Sequence, residues 1–458
     1  MKHVKKLFLA ATILCCINSA RAYDPKTFFM PRPHLENLAM EYSLWHEHAY
    51  RPGINNFHTH MQVTPFAQFS DNGRDIGKYF ALGNKNYFTI GQDNTFDMTY
   101  DNLGLDNTEG KVTLSPKQES WGARLDFFQN FNIPFKKLYL KLSAPIFYVR
   151  NDLNAFIEGT GANRDKSKTS ISTFFSGGYD GKSNEPKLDY AKIPGRGINK
   201  TGVGDIDVAL GYKFIDSEKH HVFFNIALTG PLGTKPRGEY LFEPVYGNGN
   251  HFAAGLGLDA SLKLWENKKH AARVLAVANW KYLFEGKETR TLGLKIPGQK
   301  FCHYYKLENS DNTSAANILT QNISVRPGNM LEGLINFAFT SSKFIVDLGY
   351  NIFAKQSESL NVPESTIRIE KENDLYVIVT KDDSYNIANF QERPKEIDKT
   401  SAATPSQLTH KIYAGLGYSF DVYEKYPMTL GLGGSYEFAD SKNELEQYAF
   451  WLKGIVSF

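Results

Sequence analysis

The sequence has few cysteines and no long apolar run beyond its first residues. Three of its 458 residues are cysteine, and Cys15 and Cys16 stand side by side near the N-terminus. If an N-terminal leader is removed, Cys302 is the one cysteine left, so the sequence predicts no disulfide within a mature chain. No later stretch reaches the ~18 uncharged apolar residues that a membrane-spanning helix needs. These shortages exclude a disulfide-rich fold and a bundle of membrane-spanning helices.

An excess of charge of one sign is also lacking. The chain has 52 Lys and Arg residues against 49 Asp and Glu residues. This balance gives no basic field that would attract a polyanion, so we expect no nucleic-acid partner. Aromatic residues, in contrast, make up 14% of the chain, although its mean hydropathy is −0.40. That combination is typical of membrane strands in which apolar and polar residues alternate.

Residues 1–22 have the three parts of a secretory signal peptide. Three lysines come first, the apolar run 7–17 follows, and residues 20–22 read Ala-Arg-Ala, the small-x-small form of a cleavage site. The apolar run is too short to cross a bilayer as a helix. We therefore predict that the chain is exported and that this segment is removed.

From residue 55 onward, apolar residues occur at every second position in twelve separate stretches. The clearest stretch is His251–Trp265, in which seven apolar residues alternate with mostly small or polar ones. A strand of this length exceeds the usual length in a soluble sheet, whereas ~9 to 11 tilted residues cross a bilayer. The sequence therefore predicts an all-β fold, a transmembrane antiparallel up-and-down β-barrel, over residues 55–458.

The connections between these stretches predict how the barrel is oriented. Short connections such as 266–270 alternate with long polar ones such as 356–406. Short turns on the periplasmic side and long loops outside are typical of outer-membrane barrels, and an even strand number leaves both ends of the barrel on one side. The segments Tyr87–Ile90 and Phe96–Tyr100 would raise the strand number to fourteen, but the Asp-Asn pairs around them favour a place in the first external loop.

The last strand, Gln447 to Phe458, carries a resemblance to a known family. One face is apolar and the chain ends in Phe, which resembles the closing strand of Gram-negative outer-membrane barrels. The resemblance implies an outer-membrane location, contact with outer-membrane lipid, and recognition by the barrel assembly machinery. The assembly signal would comprise Tyr448, Phe450, Val456 and Phe458.

A second, shorter resemblance lies in residues 201–206, which read Thr-Gly-Val-Gly-Asp-Ile. They resemble a strand opening in outer-membrane transporters of aromatic compounds and hydrocarbons. A dozen residues at most are covered, so the resemblance implies a transport role without naming a solute.

Residues 23–54 form a separate N-terminal segment. Four prolines interrupt it, but Leu35, Leu38, Tyr42 and Trp45 recur at helical spacing. We predict one short amphipathic helix, placed either in the periplasm or inside the lumen as a plug.

The inward positions of the strands are the candidate site. Over all of them we count seven acidic and nine basic side chains, a near balance that predicts weak charge selection with a mild preference for anions. These charges either pair to stiffen the barrel or line a narrow polar pore. The candidate lumen-lining residues are His58, His60, Arg124, Asp126, Asp205, Asp207, Asp259, Lys263, Arg273, Glu332, Asp347, Lys411 and Glu437.

Catalysis, metals and cofactors find little support. His58 and His60 share a strand face, but no third ligand accompanies them. Twelve strands also resemble outer-membrane phospholipase A, and His410 falls on the outward face, yet the His-x-Ser-Asn-Gly sequence of that family is absent. We predict no enzyme activity, no cofactor and no metal.

The function that the sequence favours is an outer-membrane channel or transporter that passes small solutes through a narrow polar lumen. The alternative is a structural or surface-adhesion barrel that acts through its long external loops.

Overall fold

The structure of the chain is a computed structural model. It describes residues 25–45, 48, 59–105, 107–131, 137–160, 170–178, 187–217, 219–296, 299–307, 313–372, 375–386, 396–423 and 426–458. The predicted signal peptide and His58 lie outside the described residues.

Twelve strands of the described chain pair side by side into one closed ring. They are β1 (Thr59–Ser70), β2 (Lys117–Asn130), β3 (Leu138–Asp152), β4 (Ile206–Asp216), β5 (His220–Gly230), β6 (Ala253–Glu266), β7 (His270–Leu283), β8 (Gly328–Ser341), β9 (Phe344–Lys355), β10 (Gln407–Val422), β11 (Tyr426–Ala439) and β12 (Gln447–Ser457). Each is antiparallel to its neighbours in chain order, and β12 closes the ring on β1, with His60 opposite Ser457. The prediction of a twelve-stranded antiparallel up-and-down barrel is confirmed.

The two faces of each strand differ in polarity. In β6, Leu256, Leu258 and Leu262 are between 43% and 49% exposed on the outer face, whereas Asp259 and Ser261 are buried on the inner face. Successive side chains of a strand point to opposite faces, so the alternation in the sequence becomes an apolar outside and a polar inside. An apolar outer surface with a polar interior is the arrangement that a bilayer requires of a barrel.

One barrel strand is interrupted. β4 continues the earlier strand Ile198–Val203, which pairs with the far half of β3, and Gly204 and Asp205 lie between the two pieces. The Asp205 carboxylate accepts hydrogen bonds from the backbone N–H groups of Gly233 (2.8 Å) and Asn248 (2.6 Å). These bonds connect the interruption to the long connection after β5.

Five long connections lie at one end of the barrel and fold together; we call them the cap. The cap comprises the described residues within 71–116, 153–205, 231–252, 284–327 and 356–406. Buried apolar side chains from different connections, such as Phe80, Phe88, Phe175 and Leu319, share one core. Burial raises the pKa of the Cys302 thiol in this core to about 12.

The cap has its own short elements. Its helices are Gly73–Phe80, Tyr100–Leu103, Ile171–Phe175 and Ala315–Leu319, with 3-10 turns at Cys302–Tyr304 and Thr400–Ala402. Besides Ile198–Val203, its strands are Tyr87–Gly91, Met98–Thr99, Glu109–Thr113, Phe156–Thr160, Gly286–Thr291, Gly293–Lys295, Thr320–Arg326, Ser359–Asn361, Ile367–Glu372, Leu375–Thr380, Ser384–Asn386 and Glu396–Asp398. No helix in the described part of the chain is long and apolar enough to span a membrane.

The alternative of fourteen barrel strands is wrong. Tyr87–Gly91 pairs with Met98–Thr99 and Glu109–Thr113 in a small sheet of the cap, separate from the barrel sheet. These segments therefore lie in the first long connection, where their turn-rich sequence placed them. Short connections join the strands at the opposite end of the barrel, which we call the turn end.

The N-terminal segment runs through the barrel from the cap to the turn end. Phe28 and Met30 are buried in the cap, and helix α1 (Leu38–Tyr42) is buried inside the barrel. The imidazole of His48 is hydrogen-bonded to the hydroxyls of Ser457 (2.7 Å) and Thr429 (2.8 Å) at the turn end. We call residues 31–45 of this segment the plug.

The plugged lumen as the candidate functional site

The plug helix begins at Asn37, whose side chain accepts a hydrogen bond from the N–H of Met40 (3.2 Å). This cap satisfies one of the free N–H groups at the helix start, and the barrel wall satisfies another, because the N–H of Leu38 donates to Glu332 (2.8 Å). A helix of five residues has little stability of its own. Its conformation therefore depends on the side chains of the wall around it.

Glu41 on the plug helix lies among basic side chains of the wall. Its carboxylate forms ion pairs with Arg124 on β2 and Lys141 on β3. The Arg124 guanidinium also binds Asp126 at 2.8 Å, and both side chains are almost fully buried. Charges this far from water are tolerated when each has a partner and hydrogen bonds, which this arrangement provides.

The upstream part of the plug bears one arginine, Arg32, which contacts several neighbouring strands. Arg32 forms ion pairs with Glu332 on β8 and Glu437 on β11, each at 2.5 Å. Its guanidinium also donates to Asn351 on β9 at 2.8 Å. Lys411 on β10 lies 3.1 Å from Glu437. This upstream part of the plug is thereby fixed by charge to the side of the barrel that β8 to β11 form.

The C-terminal end of the plug helix is held by backbone contacts. The ammonium group of Lys453 donates to the carbonyl oxygens of Met40 (2.5 Å), Glu41 (2.9 Å) and Ser43 (2.6 Å). A cation is favourable at this position because the carbonyl groups of the last helical turn carry partial negative charge. The N–H of Leu44 donates to Asp347 on β9 at 2.7 Å.

Glycines let the plug approach the wall closely at β10 and β11. A Cβ atom at Gly415 would lie 2.6 Å from the Ser43 hydroxyl, and one at Gly431 would overlap the Leu44 side chain. Side chains at these positions would push the plug away from the wall. The absence of side chains here therefore helps to seat the plug.

The opposite wall, from β3 to β7, is separated from the plug by a gap of about 30 Å³, enough for a single water molecule. Glu36 and Leu38 of the plug and Asn225, Asn279 and Lys281 of the wall are among the residues that line it. The Lys281 ammonium lies between two carboxylates, those of Glu36 (2.6 Å) and Asp207.

The structure brings most of the predicted lumen residues together around the plug. Arg124, Asp259, Glu332, Asp347 and Glu437 contact it directly, and Asp126, Asp207 and Lys411 contact those groups or the plug. Of the others, His60 packs edge-to-face against Trp45 at the end of the plug, and Lys263, Arg273 and Asp205 have partners elsewhere. His60 is near Ser457 (2.8 Å), Lys263 pairs with Glu266, Arg273 donates to Ser261, and Asp205 binds the connection after β5.

Sequence reasoning missed the charges that the plug brings. Arg32, Glu36 and Glu41 were not among the predicted site residues, and neither was Lys281, the partner of Glu36. A signal was present, because the inward strand positions have two more bases than acids, and buried bases need acidic partners. The two glutamates of the predicted helix supply such partners.

The proposed assembly signal lies on the closing strand. Tyr448 (38%), Phe450 (60%) and Phe458 (44%) are exposed on the outer face, and Val456 is half-buried. Phe458 also exchanges backbone hydrogen bonds with Thr59 at the seam between β12 and β1. Recognition of these residues by an assembly machinery stays a prediction.

His410 lies in an aromatic cluster on the outer face. Its ring stacks against Tyr350 and Phe438, and its Nδ1 lies 2.5 Å from the Tyr350 hydroxyl. An amphipathic ring in such a cluster is typical of the membrane interface. Among the described residues, no three potential ligands lie close enough together to hold a metal ion.

The molecule combines a closed ring of paired strands with an apolar outer face and a charged interior. Its connections alternate between short and long. The described residues form a closed twelve-stranded β-barrel with the two-faced polarity that a membrane-spanning barrel needs.

Comparisons with known proteins add context. No family model matches the sequence, and no curated protein matches it significantly. Among solved structures, the COG4313 outer membrane channel from Pseudomonas putida F1 is similar over 90% of this chain and 98% of that chain, with 12% identity and a TM-score of 0.41. The Pseudomonas putida toluene transporter TodX is similar over 96% and 99%, with 9% identity and a TM-score of 0.32. Likeness at this level carries no argument about function, which is drawn below from the geometry.

Proposed function

We propose that the protein is an outer-membrane channel or transporter for small solutes, and that the described structure is its closed state. The observation that supports this most is the polar contact between the plug and the wall. Arg32, Glu36 and Glu41 each form ion pairs with strand residues. In a barrel with a purely structural role, apolar packing would fill the same space at no loss of stability.

A polar interface suits a part that moves. When an apolar contact opens in a lumen, apolar surface meets water at a cost of roughly 25 cal/mol per Å². When ion pairs separate into a hydrated lumen, water solvates both charges and recovers part of the energy. The plug of this protein therefore fits a closure that opens and closes. Its buried charged groups pair with one another instead of converging on an open cleft, which favours transport over catalysis.

Conductance in planar bilayers tests the proposal. We expect wild-type protein to be closed most of the time, with brief openings, because the plug fills the lumen. Arg32→Gln removes the ion pairs to Glu332 and Glu437 and is expected to increase the open fraction several-fold. Lys295→Gln, which removes an exposed pair in the cap, serves as the control and is expected to behave like wild type. Silence of wild type and of folded Arg32→Gln would contradict the channel function.

The ordered cap supports a second candidate function, that of a structural or adhesion barrel. Its connections share an apolar core that includes Phe88 and Phe175, with ring centroids 5.5 Å apart. A folded cap presents a fixed surface, as a binding protein requires. Silence in bilayers, combined with adhesion of cells that display the protein and not of cells that lack it, would favour this candidate.

A further inference from the structure

The plug lies closer to one wall of the lumen, the wall that strands β8 to β12 form. Its direct contacts with β8 to β12 include Arg32 to Glu437, Leu44 to Asp347, and Lys453 to the end of α1. The space that Cβ atoms would occupy at Gly415 and Gly431 is taken by plug atoms. Plug side chains and the wall side chains that bind the plug backbone therefore fill the space on this side, with no room for a solute.

The opposite wall, β3 to β7, is lined by small residues that the plug backbone does not reach. A Cβ atom at Gly211 would meet the ring of Tyr139, and one at Gly257 would meet Asn225 and Asn279. All of these side chains belong to the wall itself. The gap of about 30 Å³ lies here, between this wall and the plug.

Long side chains cross the gap and close it. Lys281 reaches from β7 to Glu36 on the plug and also binds Asp207 on β4. Tyr42 reaches from the plug to Asp259 on β6 at 2.7 Å. Such contacts open by rotation of side chains and leave the backbone of the barrel in place.

We infer, given the proposed channel function, that solutes pass between the plug and the β3 to β7 wall, and that this path selects small organic cations with an ammonium group. The pair of carboxylates from Glu36 and Asp207 is a site for an ammonium ion, which the chain's own Lys281 occupies in the closed state. An incoming ammonium group takes the place of the Lys281 group between the same carboxylates. The amides of Asn225 and Asn279 line the path beside it.

The charge around the gap differs from that of the whole lumen. Glu36, Glu41, Asp207 and Glu332 line it together with two lysines, Lys141 and Lys281. Glu41 and Glu332 keep their basic partners Arg124, Lys141 and Arg32. When Lys281 moves aside, Glu36 and Asp207 lose the cation that they share, and a path past two unneutralised carboxylates favours cations. The weak selection that the overall balance predicts is thereby replaced by a cation preference.

Reversal potentials across a gradient of methylammonium chloride test the inference. Lys281→Gln removes the resident ammonium group, and we expect a higher conductance and a shift of several-fold in permeability ratio toward methylammonium over chloride. Lys263→Gln removes one inward lysine that pairs with Glu266 outside the gap, so it is the matched control with a smaller shift expected. An equal shift in both variants, or none in Lys281→Gln, would overturn the inference.

Labelling of single cysteines locates the path independently of conductance. The background is Cys302→Ser, and the loss of this thiol removes a group whose high pKa already makes it a poor nucleophile. Asn279→Cys places a thiol at the gap, and Asn336→Cys places one at a fully buried inward position of β8 away from it. The reagents are a trimethylammonium and a sulfonate methanethiosulfonate of similar size.

We expect Asn279→Cys to react at least tenfold faster with the cationic reagent than with the anionic one, and faster than Asn336→Cys with either. Faster reaction at Asn336→Cys would place the path elsewhere, and equal rates of the two reagents at Asn279→Cys would remove the cation preference. The two tests separate the cation site from the channel function. If labelling follows the expected pattern but wild type and Lys281→Gln conduct no current in bilayers, the result supports the cation site and contradicts the channel function.

Discussion

At the scale of single residues, the buried charges matter most because each depends on its partners. Arg124 is 2% exposed and serves both Glu41 and Asp126. A buried charge that loses its partner is more costly than one that was never introduced. The stability of the plugged state therefore depends on every buried charge in the lumen keeping its partner of opposite sign.

Arg124→Gln is expected to destabilise the folded protein by ~3 to 5 kcal/mol, since it removes the ion-pair partner of Asp126 and one of the two partners of Glu41. Arg273→Gln is the matched control. Its guanidinium is half-buried and donates to the hydroxyl of Ser261, so a smaller loss is expected. The measurement is urea titration of the folded band on detergent gels, and equal losses in the two variants would contradict the role assigned to Arg124.

At the scale of elements, the facing of a strand is readable from sequence but its partners inside the lumen are not. The alternation in β6 correctly placed Leu258 outside and Asp259 inside. Asp259 accepts a hydrogen bond from Tyr42, which lies 217 residues earlier in the chain. This contact depends on how the plug enters the barrel. The spacing of apolar residues in this short, proline-rich segment predicts a helix, but it does not show which strand the helix contacts. The alternation of residues within each strand therefore predicts the barrel, whereas the contacts inside the lumen depend on packing between residues far apart in the chain.

Depth along one strand gives a prediction at this scale. Leu258→Arg should cost ~2 to 4 kcal/mol, because a cation at the middle of the lipid face is far from water. Leu264→Arg lies on the same face of the same strand but near its turn end, where the cost should be about 0 to 1 kcal/mol. Both leucines are about half exposed in the structure, 46% and 53%. Equal costs in urea titrations would mean that the bilayer does not cover β6 as inferred.

At the scale of the whole molecule, closure of the sheet is the dominant feature. β12 pairs with β1 along most of its length, so the described barrel has no free edge that detergent or another chain could pair with. The sequence allowed this to be predicted because twelve alternating stretches and alternating connection lengths point to one topology. It did not predict the cap, whose short strands are set by contacts between connections far apart in the chain, such as Gly293–Lys295 with Glu396–Asp398.

Closure predicts resistance to detergent. Unboiled protein should migrate faster than boiled protein on a dodecyl sulfate gel, because the intact barrel stays compact and binds less detergent. Deletion of the last strand, Gln447–Ser457, opens the ring and should abolish the faster band. Identical mobility of unboiled and boiled wild type would contradict a closed barrel.

The course of the N-terminal segment also constrains the order of folding. The segment is held in the cap at Thr27, whose N–H donates to Ser401, and at the turn end at His48, while the cap covers one end of the lumen. A ring that has already closed beneath a folded cap offers no easy entry for a chain that bears arginine and glutamate side chains. Assembly of the strands around the segment, with the seam between β12 and β1 joined last, would avoid such an entry. On this view the plug is a template for the interior, and its charges are matched before the barrel closes.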